Sequence, residues 1–139
     1  MKPKWWEKSK KYLCKKDKVM KRLINSYKGH LTTRNNFFYS LTRSIISQQI
    51  SVSAAESVFL KFQKKCNGKI KPKTVSKLSI SDLRRCGLSR MKAIGIKSLS
   101  EKILNKSFNP RLIKDMTDEE AIVYLSSLRQ IGRWSSEMV

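Results

Sequence analysis

The sequence predicts an all-α fold, a helical bundle, on three observations. Apolar residues recur at i, i+3 and i+4 through most of the 139 residues, the spacing that gathers them on one face of a helix. Serine and threonine stand where helices would begin, and glycine, asparagine and proline where they would end. No stretch alternates polar and apolar residues with the period of two that a half-buried strand requires.

The elements follow in order. Residues 1–30 are Lys-rich and carry Trp5, Trp6, Tyr12 and Leu13, then Val19, Met20, Leu23, Ile24 and Tyr27. The second group has helical rhythm and predicts an amphipathic helix over about 17–27, with Gly29 placed to end it. The aromatics of this segment are expected in a core and not as a stacking platform for bases. Phe37, Phe38, Leu41, Ile45 and Ile46 form the apolar face of the next helix, which runs into Ser47-Gln48-Gln49-Ile50-Ser51. Ser53 with Glu56 reads as a capping box, opening a helix with Ala55, Val58, Phe59 and Phe62 on one face. Gln48 and Gln49 thus fall at a break between two helices.

Asn67-Gly68 ends that helix and Pro72 begins the next piece. Val75, Leu78, Ile80 and Leu83 mark short helical pieces, and Gly87-Leu88-Ser89 a turn. From Arg90 to Leu104, the set Ala93, Ile94, Ile96, Leu99 and Ile103 marks a longer helix, which Asn109-Pro110 is expected to break. Thr117 and Glu120 form a second capping box, with acids at the positive end of the helix. That helix carries Ala121, Ile122, Tyr124, Leu125 and Leu128 up to a glycine turn at Gly132.

Composition narrows the partner. Lys+Arg number 31 against 10 Asp+Glu, a formal net charge of +21. A Lys-biased composition contributes to this surplus, but the field remains and favours an anionic partner such as DNA, RNA or anionic lipid. No apolar run approaches the roughly 20 residues that span a bilayer, so no membrane is expected. No apolar h-region follows the basic N-terminus, so no signal peptide is read. Cys14, Cys66 and Cys86 are odd in number and contain no C-x-x-C pair, which fits neither a disulfide framework nor a zinc site and points to a reducing cytoplasm. A single histidine, His30, excludes a His-rich metal site and argues against a Ser-His-Asp triad.

Leu128-Arg129-Gln130-Ile131-Gly132-Arg133-Trp134-Ser135-Ser136 lies between two helical stretches. Taken alone, a single glycine there reads first as a C-cap and second as a turn whose backbone N–H groups receive a phosphate. Three further stretches occur with it in a definite order. They are Phe38 to Ala55 around Ser47-Gln48-Gln49-Ile50-Ser51, Cys86-Gly87-Leu88-Ser89-Arg90-Met91-Lys92-Ala93, and Asp17-Lys18-Val19-Met20 ahead of the first core helix.

Together these resemble the helix-hairpin-helix (HhH-GPD) DNA glycosylases, with the likeness nearest to the DNA-3-methyladenine glycosylase II branch and running from about Trp5 to the last residue. The resemblance implies one partial domain over 1–139, with an N-terminal helical segment at 1–30, core helices at 35–115 and the start of the helix-hairpin-helix at 117–139. It implies base-excision repair of double-stranded DNA with alkylated bases, by a monomer in the cytoplasm, nucleoid-associated in a bacterium. Such an enzyme must extrude its nucleotide. Gln48, Gln49 and Ile50 match the wedge that fills the vacated stack, with Gln49 at its tip; the alternative is that the two glutamines cap helix ends. Arg90 and Met91 match a loop that probes the opposite strand. Ile131, Gly132, Arg133 and Ser135 match the hairpin that grips a phosphate.

Trp134 stands where backbone-cleaving branches carry a Schiff-base lysine, so the likeness implies a monofunctional glycosylase. Its indole is suited to stack on an electron-poor alkylated purine in the base pocket, or else to pack on the preceding helix. Gln130 departs from the family's first hairpin glycine, at a cost of order 1 kcal/mol if φ is positive there. Family hairpins admit a K⁺ or Na⁺ at turn carbonyls, here near Gln130 and Gly132, and no iron–sulfur cluster is expected. The family's catalytic Asp is expected beyond Val139, which marks the chain as C-terminally truncated and itself inactive. The competing readings are a non-catalytic helix-hairpin-helix DNA-binding module and a basic RNA-associated helical protein.

Overall fold

A computed structural model of the chain describes residues 2–33 and 36–138. Every regular element among them is helical, and they contain no β-strand. The chain divides into two compact units, Met1–Asn35 and Asn36–Val139.

The first unit is a pair of helices, α1 (Trp6–Lys16) and α2 (Lys18–Ser26), packed on each other. Asp17 separates them: its extended backbone ends α1, and its carboxylate accepts the N–H groups of Val19 and Met20 to start α2. This N-cap fits the helical rhythm of Val19, Met20, Leu23 and Ile24. The helix ends sooner than expected. Tyr27, not Gly29, is its C-cap, in an extended conformation with its N–H on the Leu23 carbonyl. The expectation of aromatics in a core also fails. Trp5, Tyr12 and Tyr27 are 55, 60 and 75% exposed, and neither helix contains a buried residue. Within the unit, a pair of helices has little more than its mutual face to bury. That face forms a groove of about 310 Å³ lined by Trp6, Leu13, Met20, Leu23 and Ile24 among others.

The second unit holds the core. Its elements are α3 (Phe37–Ser47), α4 (Val52–Lys65), α5 (Pro72–Val75), α6 (Ile80–Arg85), α7 (Arg90–Leu104), a 3-10 turn (Pro110–Asp115), α8 (Asp118–Ser126) and α9 (Arg133–Glu137). The central helix is α7, packed against α3, α5 and α6, while α3 also packs on α4 and α8 on α9. Leu41, Ile45, Phe62, Val75, Leu83, Ala93 and Ile96 are fully buried between them. Cys66 and Cys86 join this core, and burial pushes the Cys66 thiol up to about 11 and the Cys86 thiol up as well.

Two helix boundaries differ from expectation for traceable reasons. α4 is capped by Ser51, whose hydroxyl accepts the Ala54 N–H at 3.2 Å, so the Ser53–Glu56 box does not form. Glu56 turns instead to Arg43 of α3, 2.5 Å away, whose guanidinium also lies 4.5 Å from the centre of the Phe59 ring. With Ser51 as N-cap, Ser53 lies inside the helix and Glu56 pairs across to α3. At the far end of α7, Asn105 ends the helix and Lys106 takes φ +63°, ahead of Asn109-Pro110. Asn109 instead caps the 3-10 turn and donates its N–H to the Tyr124 hydroxyl at 2.9 Å. The Thr117–Glu120 box forms as expected, and its hydrogen bonds to Thr117 hold the Glu120 carboxyl below its usual range.

Candidate nucleic-acid interface

Three chain breaks carry the residues singled out above. The first lies between α3 and α4. Gln48 ends α3, and Gln49 takes φ +56°, a left-handed conformation that costs a non-glycine residue about 1 kcal/mol. Gln49 is exposed, and Ile50 is 41% exposed beside it. Gln48 behaves differently. Its side chain turns inward, and Nε2 donates to the Gln130 carbonyl at 2.6 Å and to Ser135 Oγ at 3.3 Å. The two glutamines therefore separate into a tip and a strut.

The second break is Gly87-Leu88-Ser89. Gly87 takes φ +101°, and a Cβ there would lie 3.0 Å from Val58 Cγ2, so both conformation and packing require glycine. Leu88 plugs into the core and Ser89 caps α7. The turn leaves Arg90 exposed at the rim of a concavity of about 830 Å³ that Arg84 and Arg85 also line, with Met91 53% exposed next to it.

The third break is the hairpin between α8 and α9. Ile131 anchors it in the core. Gln130 takes φ +68°, so the position where glycine was expected does require a left-handed residue. Gly132 has φ −104° and ψ −177°, open to any residue, and a Cβ on it would meet nothing within 4 Å. Neither the backbone nor the packing of this chain explains a glycine at 132. Its bareness leaves the backbone N–H groups at the start of α9, which have no intrahelical acceptor, open to an outside group.

The side chains around Gly132 are largely committed within the protein. Arg133 pairs with both oxygens of Glu119 on α8 and, through Nε, with Glu137 at 3.0 Å. The guanidinium holds the Glu119 carboxyl below its usual range. Ser135 is buried against Gln48, not presented at the surface. Ser136 donates to the Gly132 carbonyl through both N–H and hydroxyl, at 3.0 and 2.9 Å. Trp134 stands out from α9, 69% exposed.

The hairpin is seated on α7 through a residue that sequence reasoning missed. A Cβ on Gly95 would lie 2.8 Å from Gln130 Cγ, 3.3 Å from its Cβ and 3.4 Å from the Arg129 carbonyl oxygen. Gly95 thus admits the hairpin to the helix surface, at the position where Gln130 is strained. The two are expected to couple. Gly95→Ala alone should destabilise, because the clash exceeds the gain in helix propensity. In a Gln130→Gly background the same change should stabilise by up to about 1 kcal/mol. Thermal melting of the four members of the cycle checks the change of sign.

A tip, a basic rim and a bare glycine turn thus stand on one helical core, with two helices joined by the hairpin at Gly132. The chain belongs to the HhH-GPD superfamily of base excision DNA repair proteins, whose model matches residues 42–135. That span runs from α3 through α9 and takes in all three breaks.

Among individual relatives, the chain is 30% identical over 105 residues to the Alkylbase DNA glycosidase-like protein mag2 of Schizosaccharomyces pombe, covering 73% of this chain and 49% of that protein. It is 27% identical over 126 residues to DNA-3-methyladenine glycosylase 1 of the same organism, covering 88% of this chain and 55% of that protein. The chain spans about half the length of these relatives. Among solved structures, the Schizosaccharomyces pombe 3-methyladenine DNA glycosylase Mag1 in complex with abasic DNA superposes with a TM-score of 0.82 at 27% identity. The match covers 94% of this chain and 67% of that one.

Proposed function

We propose that this chain is the lesion-reading part of a monofunctional DNA glycosylase of base excision repair, directed at alkylated purines of the 3-methyladenine type. One observation carries the reading: the Gln48 amide bridges to the Gln130 carbonyl over 82 residues of sequence. The exposed tip at Gln49 and Ile50 and the hairpin at Ile131-Gly132 are thereby held as one surface. In this reading Gln49 enters the stack when a nucleotide leaves it, offsetting part of an unstacking cost of a few kcal/mol. Gly132 and the N–H groups after it hold a phosphate, Arg90 and Met91 lie along the opposite strand, and Trp134 stacks on the extruded base. A cationic alkylated purine is favoured there over a neutral base, because the indole face attracts positive charge.

Hydrolysis of the N-glycosidic bond also needs a carboxylate at the sugar. The carboxylates that the structure brings to the hairpin, Glu119 and Glu137, are both bound by Arg133. The role assigned to these residues is therefore recognition and extrusion. The Gln130 and Gly132 carbonyls, which would hold a K⁺ or Na⁺, also accept hydrogen bonds from Gln48 and Ser136.

The chain is expected to bind a duplex containing a tetrahydrofuran abasic-site analogue about tenfold more tightly than the matched intact duplex, a difference of about 1.4 kcal/mol. Fluorescence anisotropy with both duplexes at one salt concentration measures it. Equal binding would sink the reading and leave a non-catalytic DNA-binding module.

A further inference from the structure

Lys92 occupies the first turn of α7, the positive end of the helix dipole, where an ammonium gains nothing from its own helix. Its side chain leaves α7 and reaches the end of α3. There Nζ donates to the Ile46 carbonyl at 2.9 Å and to the Gln48 carbonyl at 2.6 Å. Carbonyls at a helix C-terminus lack intrahelical partners, and a cation is the partner that suits them. The group is half-buried, so this is a built contact and not a solvated surface lysine.

The residue just past this contact is Gln49, in its strained left-handed conformation. Strain of this kind persists only where the surroundings over-determine it. Gln48 is fixed at both ends: its carbonyl by Lys92, and its amide by the carbonyl of Gln130, itself left-handed, together with the Ser135 hydroxyl. An unbroken run of hydrogen bonds thus leads from α7 through the α3–α4 break to the hairpin.

We propose that Lys92 is a positioning residue that holds Gln49 in the stack-filling conformation and, through Gln48, keeps the tip in register with the hairpin. The inference rests on the lesion-reading function proposed above. Without the ammonium, the carbonyls of Ile46 and Gln48 lose a charge-assisted donor, and Gln49 is free to relax out of the left-handed region. Contacts to phosphate lie elsewhere, so binding to intact duplex should persist while preference for a gap in the stack is lost.

The test uses the 139-residue chain, its Lys92→Met, Lys92→Arg and Gln48→Ala variants, and the two duplexes of the anisotropy experiment. Lys92→Met should erase most of the roughly tenfold preference for the abasic-site duplex while intact-duplex affinity changes by less than about threefold. Lys92→Arg, which keeps a cationic donor, should retain the preference. The change in 2-aminopurine fluorescence on binding, with the base placed opposite the analogue, should be lost in Lys92→Met and in Gln48→Ala but kept in Lys92→Arg. Gln48→Ala cuts the same network from its other end and should show the same selective loss, so the test survives if Lys92→Met fails to fold. A preference retained in Lys92→Met or in Gln48→Ala overturns the inference, as does an equal loss on both duplexes. Absence of any preference in the unaltered chain overturns the functional reading itself, a distinguishable result.

Discussion

Affinity of this chain for intact duplex DNA is expected to fall by about 10³–10⁵ between about 50 and 200 mM salt, the loss for a protein that neutralises about six to ten phosphates. The expectation follows from a net charge of +21 and from where cations stand. Arg84, Arg85 and Arg90 share one concavity, whereas Arg133 is already neutralised by Glu119 and Glu137. Binding should release condensed counterions in proportion to the phosphates contacted, giving a straight line of log affinity against log salt with slope about −0.9 per contact. Removing Arg90 should reduce that slope by about one, and removing Arg133 by less, because its partners compete with phosphate. Titrations at four or five salt concentrations measure both slopes. A flat profile would exclude DNA as the partner that the charge serves.

The second large effect is expected at Gly132. The position is the N-cap of α9, in extended backbone with open space where a Cβ would go. Aspartate is among the best N-cap residues and glycine a weaker one. Gly132→Asp should therefore leave the melting temperature unchanged or slightly raised. In the complex the same carboxylate would face a phosphate, and like charges brought together at an interface cost several kcal/mol. Duplex affinity should drop about a hundredfold, corresponding to about 2.7 kcal/mol. Opposite signs for stability and binding cannot come from a damaged fold. Unchanged binding by Gly132→Asp would remove the hairpin from the interface.

The fold was legible where the determinant is local. Proline at the start of α5, Asn67-Gly68 after α4, Thr117 with Glu120 before α8, and the apolar spacing from Arg90 to Leu104 each act within a few residues of sequence. Spacing alone does not show a distant partner. Glu56 fits a capping box by spacing alone, but Arg43 on the neighbouring helix holds it. The family resemblance located the three breaks, and the strain at Gln130 was foreseen from its place in the hairpin. The division of labour between Gln48 and Gln49 was not legible, since it depends on a contact across 82 residues. Lys92 was hidden among many lysines, because nothing in its neighbours distinguishes an ammonium that reaches carbonyls from one that reaches water. Gly95 was equally silent: only the close approach of Gln130 shows why a helix keeps a glycine in its interior.

The buried thiols bear on survival in the presence of the reagents that would create the proposed substrate. Methylating agents attack thiolates far faster than thiols, and a thiolate is what a buried cysteine withholds. Burial pushes the Cys66 thiol up to about 11 and shifts Cys86 the same way, so both stay protonated at neutral pH. Placing these two sulfurs in the interior withholds both from the electrophiles whose damage the chain is proposed to find.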